Sequence, residues 1–186
     1  MSPADEFEAR LVAARSGAEW ALSELYRDIH PRILRYLRAV EPSDADDLAS
    51  DTWMDVARGL ARFGGDEAAF RAWSFTIARR RLVDLRRRRA RQRTAPAPPD
   101  RLAEAGSVGD AEEEAFASLG TGWAVALIAS ALPPAQAEVV LLRVLGDLGV
   151  SEVAAIVGKR PGNVRVLQHR ALRQLARVLE GQGVTR

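Results

Sequence analysis

From Phe7 to Arg89 the apolar residues recur three and four positions apart: Leu22, Leu25, Tyr26 and Ile29, then Ile33, Leu34 and Leu37, then Leu48, Val56 and Leu60. That period marks one buried face of a helix. Pro31 suits the first turn of a new helix after Asp28-Ile29-His30, and Pro42-Ser43 ahead of Asp44 supplies a break and an N-cap. Gly64-Gly65-Asp66 interrupts the pattern again before the segment with Phe70, Trp73 and Ile77. The pattern predicts four helices before residue 92. Pro96, Pro98 and Pro99, followed by Gly106, Gly109 and the acidic run Asp110 to Glu114, cannot continue a helix and read as a linker. Helical periodicity resumes near Glu113, breaks at Pro133-Pro134 and runs to about Leu179, enough for four or five helices. Neither strand-like alternation nor an internal repeat is present. The expected fold is all-α: two small helical domains, residues 1–93 and 113–186, joined by a flexible linker over 94–112.

Composition narrows the class. With 186 residues and 47% hydrophobic content the chain can bury real cores. The absence of cysteine removes disulfides, thiol catalysis and cysteine-ligated zinc. The first fifteen positions mix Asp5, Glu6, Glu8 and Arg10 with apolar residues, unlike the basic-then-apolar order of a signal peptide. No stretch reaches the roughly 20 apolar residues that cross a bilayer. These features predict a cytoplasmic protein that uses no membrane.

Charge changes the picture more. The formal net charge is only +2, yet residues 79–93 hold nine arginines against the single Asp84. A polyanion responds to such a local stripe, because each arginine that meets a phosphate releases a condensed counterion. The plain alternative is a solvated arginine run at a helix end. On the helix after Gly65, burial of Phe70, Trp73, Ile77 and Leu85 leaves Arg79, Arg80, Arg86 and Arg87 on another side with Thr76. Phe63, Trp73 and Phe75 lie near enough to stack bases, although core packing is the preferred reading of Phe70 and Trp73.

Residues 151–170 have the form of a helix-turn-helix. Ser151 caps the first helix with Glu152 near its start, Ala154 is small at the helix crossing, Gly158 permits a positive φ in the turn, and Val164 plugs the shared core. Pro161 starts the second helix with φ already set. Placed in a major groove, that helix presents Arg160, Asn163, Arg165, Gln168, His169 and Arg170, all able to donate to base edges or phosphates. Val164, Leu167, Ala171, Leu172 and Leu175 read as core. The alternative is an ordinary helical hairpin with a polar outer face. At 100° per residue, Asp44, Asp47, Asp51 and Asp55 fall in a band roughly 80° wide beside Leu48, Val56, Leu60 and Trp53. Four like charges on one face repel, so the band reads either as a solvated acidic face or as a surface for a basic protein partner.

Residues 44–53, residues 70–84, the Leu132-Pro133-Pro134-Ala135-Gln136 segment and the helix-turn-helix together resemble the bacterial sigma factors of the extracytoplasmic-function type, over about residues 5 to 180. The resemblance implies that Asp44, Asp47, Leu48, Asp51 and Asp55 bind the clamp helices of the largest subunit of core RNA polymerase. It also implies a second polymerase contact at the flap region. Residues up to 93 would recognise the minus-ten promoter element, with Phe63, Gly64, Gly65, Asp66, Thr76, Arg79, Arg80, Arg86 and Arg87 around a base flipped from the stack, and would help to melt that element. The second domain would read the minus-thirty-five element through Arg160, Asn163, Arg165, Val166, Gln168, His169 and Arg170. The linker would thread toward the RNA exit path, its acidic segment occupying a basic channel. An anti-sigma factor is a further partner that the resemblance suggests and the sequence does not disclose. Arg80 stands where relatives often carry asparagine, and Asn163 and Val166 where they often carry serine or threonine, so promoter preference does not transfer.

Two other classes compete. A stand-alone helix-turn-helix regulator would bind duplex DNA tightly by itself, usually as a dimer. An enzyme has little to build on: His30 and His169 lie in different domains and no Gly-rich phosphate loop occurs. No cofactor and no metal site are expected.

Overall fold

The computed structural model describes residues 3–94 and 115–181, and no strand occurs among them. The first group of helices is α1 (Pro3–Arg15), α2 (Glu19–Val40), α3 (Ala45–Gly59) and α4 (Glu67–Thr94), with short 3-10 turns at Pro42–Asp44 and Leu60–Arg62. The second is α5 (Ala115–Ala131), α6 (Pro134–Leu145), α7 (Val150–Val157) and α8 (Pro161–Gly181). Residues 95–114, which include all but the first position of the expected linker 94–112, lie outside the described residues.

One boundary differs from expectation. Pro31 does not open a helix; it sits inside α2, and the first break falls earlier, at Ser16-Gly17-Ala18. Proline in a helix interior costs about 3 kcal/mol, since its ring nitrogen cannot donate to the carbonyl four residues back. Leu25, Ile29, Ile33, Tyr36 and Leu37 are all buried on one continuous stripe of α2. At about 1.5–3 kcal/mol per buried side chain, keeping that stripe unbroken outweighs the lost bond. Pro31 itself faces solvent.

The α4 helix lies against α3 and α2. Phe70, Phe75, Ala78 and Leu82 are buried, with Phe75 edge-on to Tyr36 at 5.7 Å between ring centroids. Phe75 is therefore core and unable to stack a base. Polar pairing closes the same seam. Arg81 meets Asp55 at 2.6 Å and Asp51 at 3.6 Å, and Arg89 meets Glu41 at 2.7 Å and Asp44 at 2.5 Å. Asp44 was expected to cap α3 with its side chain; its carboxylate accepts instead from the Ser43 hydroxyl and from Arg89.

In the second group, Leu141, Leu142, Leu148, Val153 and Val164 are buried among α6, α7 and α8. The two groups also touch. The α6 helix packs on α2, and α7 on α4. Glu138 of α6 is the polar centre of that contact: its Oε1 accepts from the Tyr36 hydroxyl at 3.2 Å and from Arg79 Nε at 2.9 Å. Tyr36 is fully buried, and burial together with the nearby Glu138 charge raises its pKa, so it remains a neutral donor. At the edge, Arg71 joins Glu67 on its own helix at 2.6 Å to Asp147 in the other group at 3.5 Å.

Two outcomes follow from these contacts. Glu138→Ala leaves the Tyr36 hydroxyl and Arg79 without their acceptor and should weaken docking of the groups by about 1–3 kcal/mol. Small-angle scattering should then record a larger radius of gyration, whereas an unchanged radius would assign the contact to apolar packing alone. The Ser43 hydroxyl, with Arg89 beside it, holds the Asp44 carboxyl below the usual aspartate range. Its stabilisation is present above the unfolded value of about 4 and is lost as pH falls through the lower folded value. Asp44→Asn should accordingly flatten the loss of stability below pH of about 4, measured by urea unfolding across an acid series.

Candidate nucleic-acid interface

The rotation of α4 sorts the arginines. With Phe70, Ala78 and Leu82 inward, Thr76, Arg80 and Arg87 fall on one exposed line within about 40° of each other. Arg80 makes no ion pair among the described residues, and Arg87 has only a long 3.9 Å approach to Asp84. Thr76 spends its hydroxyl proton on the carbonyl of Ala72 at 2.7 Å, which leaves its oxygen lone pairs and methyl outward. Two residues assigned to the same surface point elsewhere. Arg79 is half-buried against Glu138, and Arg86 donates to Glu41 at 3.1 Å and to the carbonyl of Val40. Arg88, not singled out from the sequence, is exposed. Its omission has a plain cause: a run of four arginines gives no hint of which ones the neighbouring helix will take.

The loop ahead of α4 is held from several directions. Gly64, Gly65 and Asp66 are exposed, and Asp66 caps the helix by accepting from the Ala69 amide at 2.8 Å. Gly65 has φ +149, a conformation that side chains rarely adopt. Phe63 is half-buried and stacks on Trp73, with centroids 4.9 Å apart and planes 24° apart. The Arg15 guanidinium, from α1, donates to the Phe63 carbonyl.

The acidic band of α3 is divided by the same packing. Asp55 is held by Arg81 and Arg58, and Asp44 by Arg89, so both are largely used within the fold. Asp47 and Asp51 face solvent. Leu48, grouped with them as a contact, is 5% exposed and belongs to the core; it supports the face from beneath. Exposed Met54 lies on the same side of α3, about 20° from Asp47; Trp20 and Tyr26 of α2 are exposed as well, although a 3.6-residue period makes such residues look buried. Tyr26 stacks on His30 at 4.3 Å and meets Trp53 edge-on at 5.1 Å. Burial lowers the His30 pKa, keeping the imidazole neutral near pH of about 7.

In the helix-turn-helix, Gly158 adopts φ +66 and ψ 37 and ends α7, and Pro161 begins α8, as the sequence predicts. The cap differs. Gly149 occupies the N-cap and its amide donates to Glu152, while Ser151 lies inside the helix. On α8, Val164 and Ala171 are fully buried, which turns Asn163, Val166, His169 and Arg170 outward on an arc of about 120°. Exposed Arg173 falls in the middle of that arc and was missed because it lies a turn beyond the motif. Arg160 and Arg165 are exposed at its borders, whereas Gln168 is half-buried toward the core side. Leu172, expected in the core, is 52% exposed. Among the described residues no group of three or more His, Asp or Glu side chains is arranged to hold a metal ion. Nor is any helix there long and apolar enough to cross a membrane.

Comparison with known proteins agrees with this layout. The family description sigma-70 region 2 matches residues 25–92, and sigma-70 region 4 matches residues 124–175. The chain is 36% identical over 177 residues to the ECF RNA polymerase sigma factor ShbA of Streptomyces griseus, covering 90% of this chain and 92% of that protein. It is 33% identical to the ECF RNA polymerase sigma factor SigD of Mycobacterium tuberculosis, over 92% of this chain and 82% of the relative. In fold it is similar to CnrH in its complex with the cytosolic domain of CnrY, with TM-score 0.60, 21% identity, and coverage of 94% of this chain and 97% of that one. It is also similar to the sigma factor RpoE of Bartonella quintana in complex with the anti-sigma factor NepR, with TM-score 0.57, 22% identity, and coverage of 85% and 96%. Given that identity across nearly its whole length, the chain belongs to the extracytoplasmic-function sigma factors of the sigma-70 family.

Proposed function

We propose that residues 1–93 hold core polymerase and the minus-ten element while residues 113–186 read the minus-thirty-five element, with 94–112 as the tether. The protein directs promoter-specific initiation together with core RNA polymerase and promoter DNA. The observation that supports the assignment of residues is the set of charges the fold leaves exposed. Asp47 and Asp51 are exposed on α3 with Met54 beside them, Asp51 having only a 3.6 Å approach to Arg81, a face suited to a basic, partly apolar helix such as a polymerase clamp helix. Thr76, Arg80 and Arg87 form a separate line suited to phosphates and to an unpaired strand. Asn163, Val166, His169, Arg170 and Arg173 form the reading face of α8. The protein performs no chemistry of its own and works in the cytoplasm, where polymerase is.

The closed contact bears on order of events. Arg79 reaches DNA only after Glu138 withdraws from it, so opening of the two groups precedes full engagement of the minus-ten element. The solved relatives CnrH and RpoE are each held by a partner protein, and an anti-sigma factor is the corresponding kind of regulator for this chain.

Reversal of Asp47 and Asp51 to arginine should sharply reduce co-purification with core polymerase while circular dichroism stays unchanged; undiminished recovery would remove that face from the interface. Arg165→Ala and Arg170→Ala should each cost about 1–3 kcal/mol if they touch base edges, with the loss confined to particular promoter positions. A loss that is uniform across sequences would make them phosphate contacts. Gel-shift assays with and without core enzyme test the wider assignment, since tight, specific duplex binding by the isolated chain belongs to a stand-alone regulator.

A further inference from the structure

A groove of about 520 Å³ runs between α2 and α5, within the range of about 300–1,000 Å³ typical of small-ligand sites. Each wall is one face of a helix. On the α2 side Arg35, Arg38 and Ala39 follow the spacing that puts side chains on a common face, and on the α5 side Val125, Ala126 and Ala129 do the same. The run from Gly122 to Ala129 gives the groove a length of about 10 Å.

The lining decides what can enter. Most of it is small and aliphatic, and no aromatic ring is among the described residues that line it, so a base or nucleotide finds no platform to stack on. Ser130 gives its hydroxyl proton to the Leu127 carbonyl at 3.3 Å. Arg35 and Arg38 supply the charge. Arg38 is joined to Asp46 at 3.0 Å. Arg35 is half-buried, donates through Nε to the Pro31 carbonyl at 3.2 Å, and makes no ion pair among the described residues. Its terminal nitrogens are left as donors for an anion. One free guanidinium beside an aliphatic channel fits an aliphatic body with a single anionic head, and a carboxylate meets an arginine through two parallel N–H donors.

We propose that this groove binds a medium-chain aliphatic carboxylate, with its tail along α5 and its head on Arg35. Because α2 belongs to the first group of helices and α5 to the second, such an occupant touches both and favours the closed arrangement in which Glu138 holds Arg79. A ligand that binds one arrangement alone shifts the balance toward it by mass action. The carboxylate is therefore a brake on opening. Its binding stands on the groove alone, and its effect on transcription rests on the sigma-factor reading.

Calorimetric titration of the full chain with decanoate, below its micelle-forming concentration, should show saturable binding. Affinity should fall about fourfold for each methylene removed, from decanoate to nonanoate to octanoate. Decanol, which lacks the anionic head, should bind at least about tenfold more weakly. Arg35→Gln should cost decanoate a similar factor and leave decanol unchanged. Ala126→Leu places a good helix former at an exposed position of α5, fills the groove, and should abolish binding of both. In run-off transcription with core polymerase, decanoate should lower the transcript from wild type severalfold and leave that from Arg35→Gln unaffected. Equal binding of decanol and decanoate, or a titration that both variants leave unchanged, overturns the site. Binding of an acidic amphipathic peptide in place of decanoate gives the groove to a protein partner, and self-association that Ala126→Leu abolishes in sedimentation velocity gives it to a second copy of this chain; either result overturns the proposal. If decanoate binds as expected and transcription is unchanged, the brake is wrong and the binding site stands. If no transcript starts from any promoter while the titration holds, the sigma reading fails and the binding site stands.

Discussion

Burial of one stripe of α4 against α2 and α3 sets the angular position of every arginine on that helix. Phe70, Phe75, Ala78 and Leu82 go inward together, at about 1.5–3 kcal/mol for each large apolar side chain removed from water. Turning the helix by even one residue, about 100°, would expose that stripe and bury guanidinium groups in its place. The apolar contact is therefore decisive, and the charged residues take the positions it leaves. Arg81 and Arg89 come to lie over α3 and its approach, Arg79 beneath the second group of helices, and Arg80 and Arg87 in the open.

The ion pairs that result are better understood as sorting than as glue. Exposed pairs contribute about 0–1 kcal/mol each, and Arg38 with Asp46 has both side chains more than half exposed. The less exposed pairs matter through what they remove. Once Asp55 is held by Arg81 and Asp44 by Arg89, the exposed carboxylates of the band are Asp47 and Asp51, the latter with a looser 3.6 Å approach to Arg81. Once Arg79 is held by Glu138, the basic line presents Arg80 and Arg87. Intramolecular neutralisation narrows both surfaces, which favours selectivity for a matching partner over general attraction to opposite charge.

The second group applies the same economy to a different purpose. Its buried residues, from Leu141 to Val164, clamp α7 and α8 at the angle set by the Gly158 turn. That leaves α8 with a polar outer arc in which a single valine, Val166, offers a methyl-sized apolar contact between donors. The contact between the groups reuses Tyr36, whose ring packs on Phe75 while its hydroxyl reaches Glu138. One side chain thus belongs at once to the core of the first group and to its docking with the second.

Periodicity and turn chemistry determined the helices, the break at Pro133-Pro134, the positive φ at Gly158 and the inward Val164, because these depend on neighbours close in sequence. The same local rules misplaced Pro31 as a helix start, since they cannot weigh a proline's lost bond against a stripe of side chains buried by other helices. They also marked Phe75 as a contact and Leu172 as core, while the contact role of Leu48 came from the family resemblance and not from its period, which put it on the apolar face. Whether a residue on a helix edge is covered depends on what packs there, and for Leu48 and Phe75 the covering helices come from distant parts of the chain. The pairing of Asp44, Asp55, Arg79 and Arg86, and the groove that α2 forms with α5, were decided by tertiary structure alone. Each joins residues tens of positions apart, and charge type and spacing carry no information about which opposite charge will arrive.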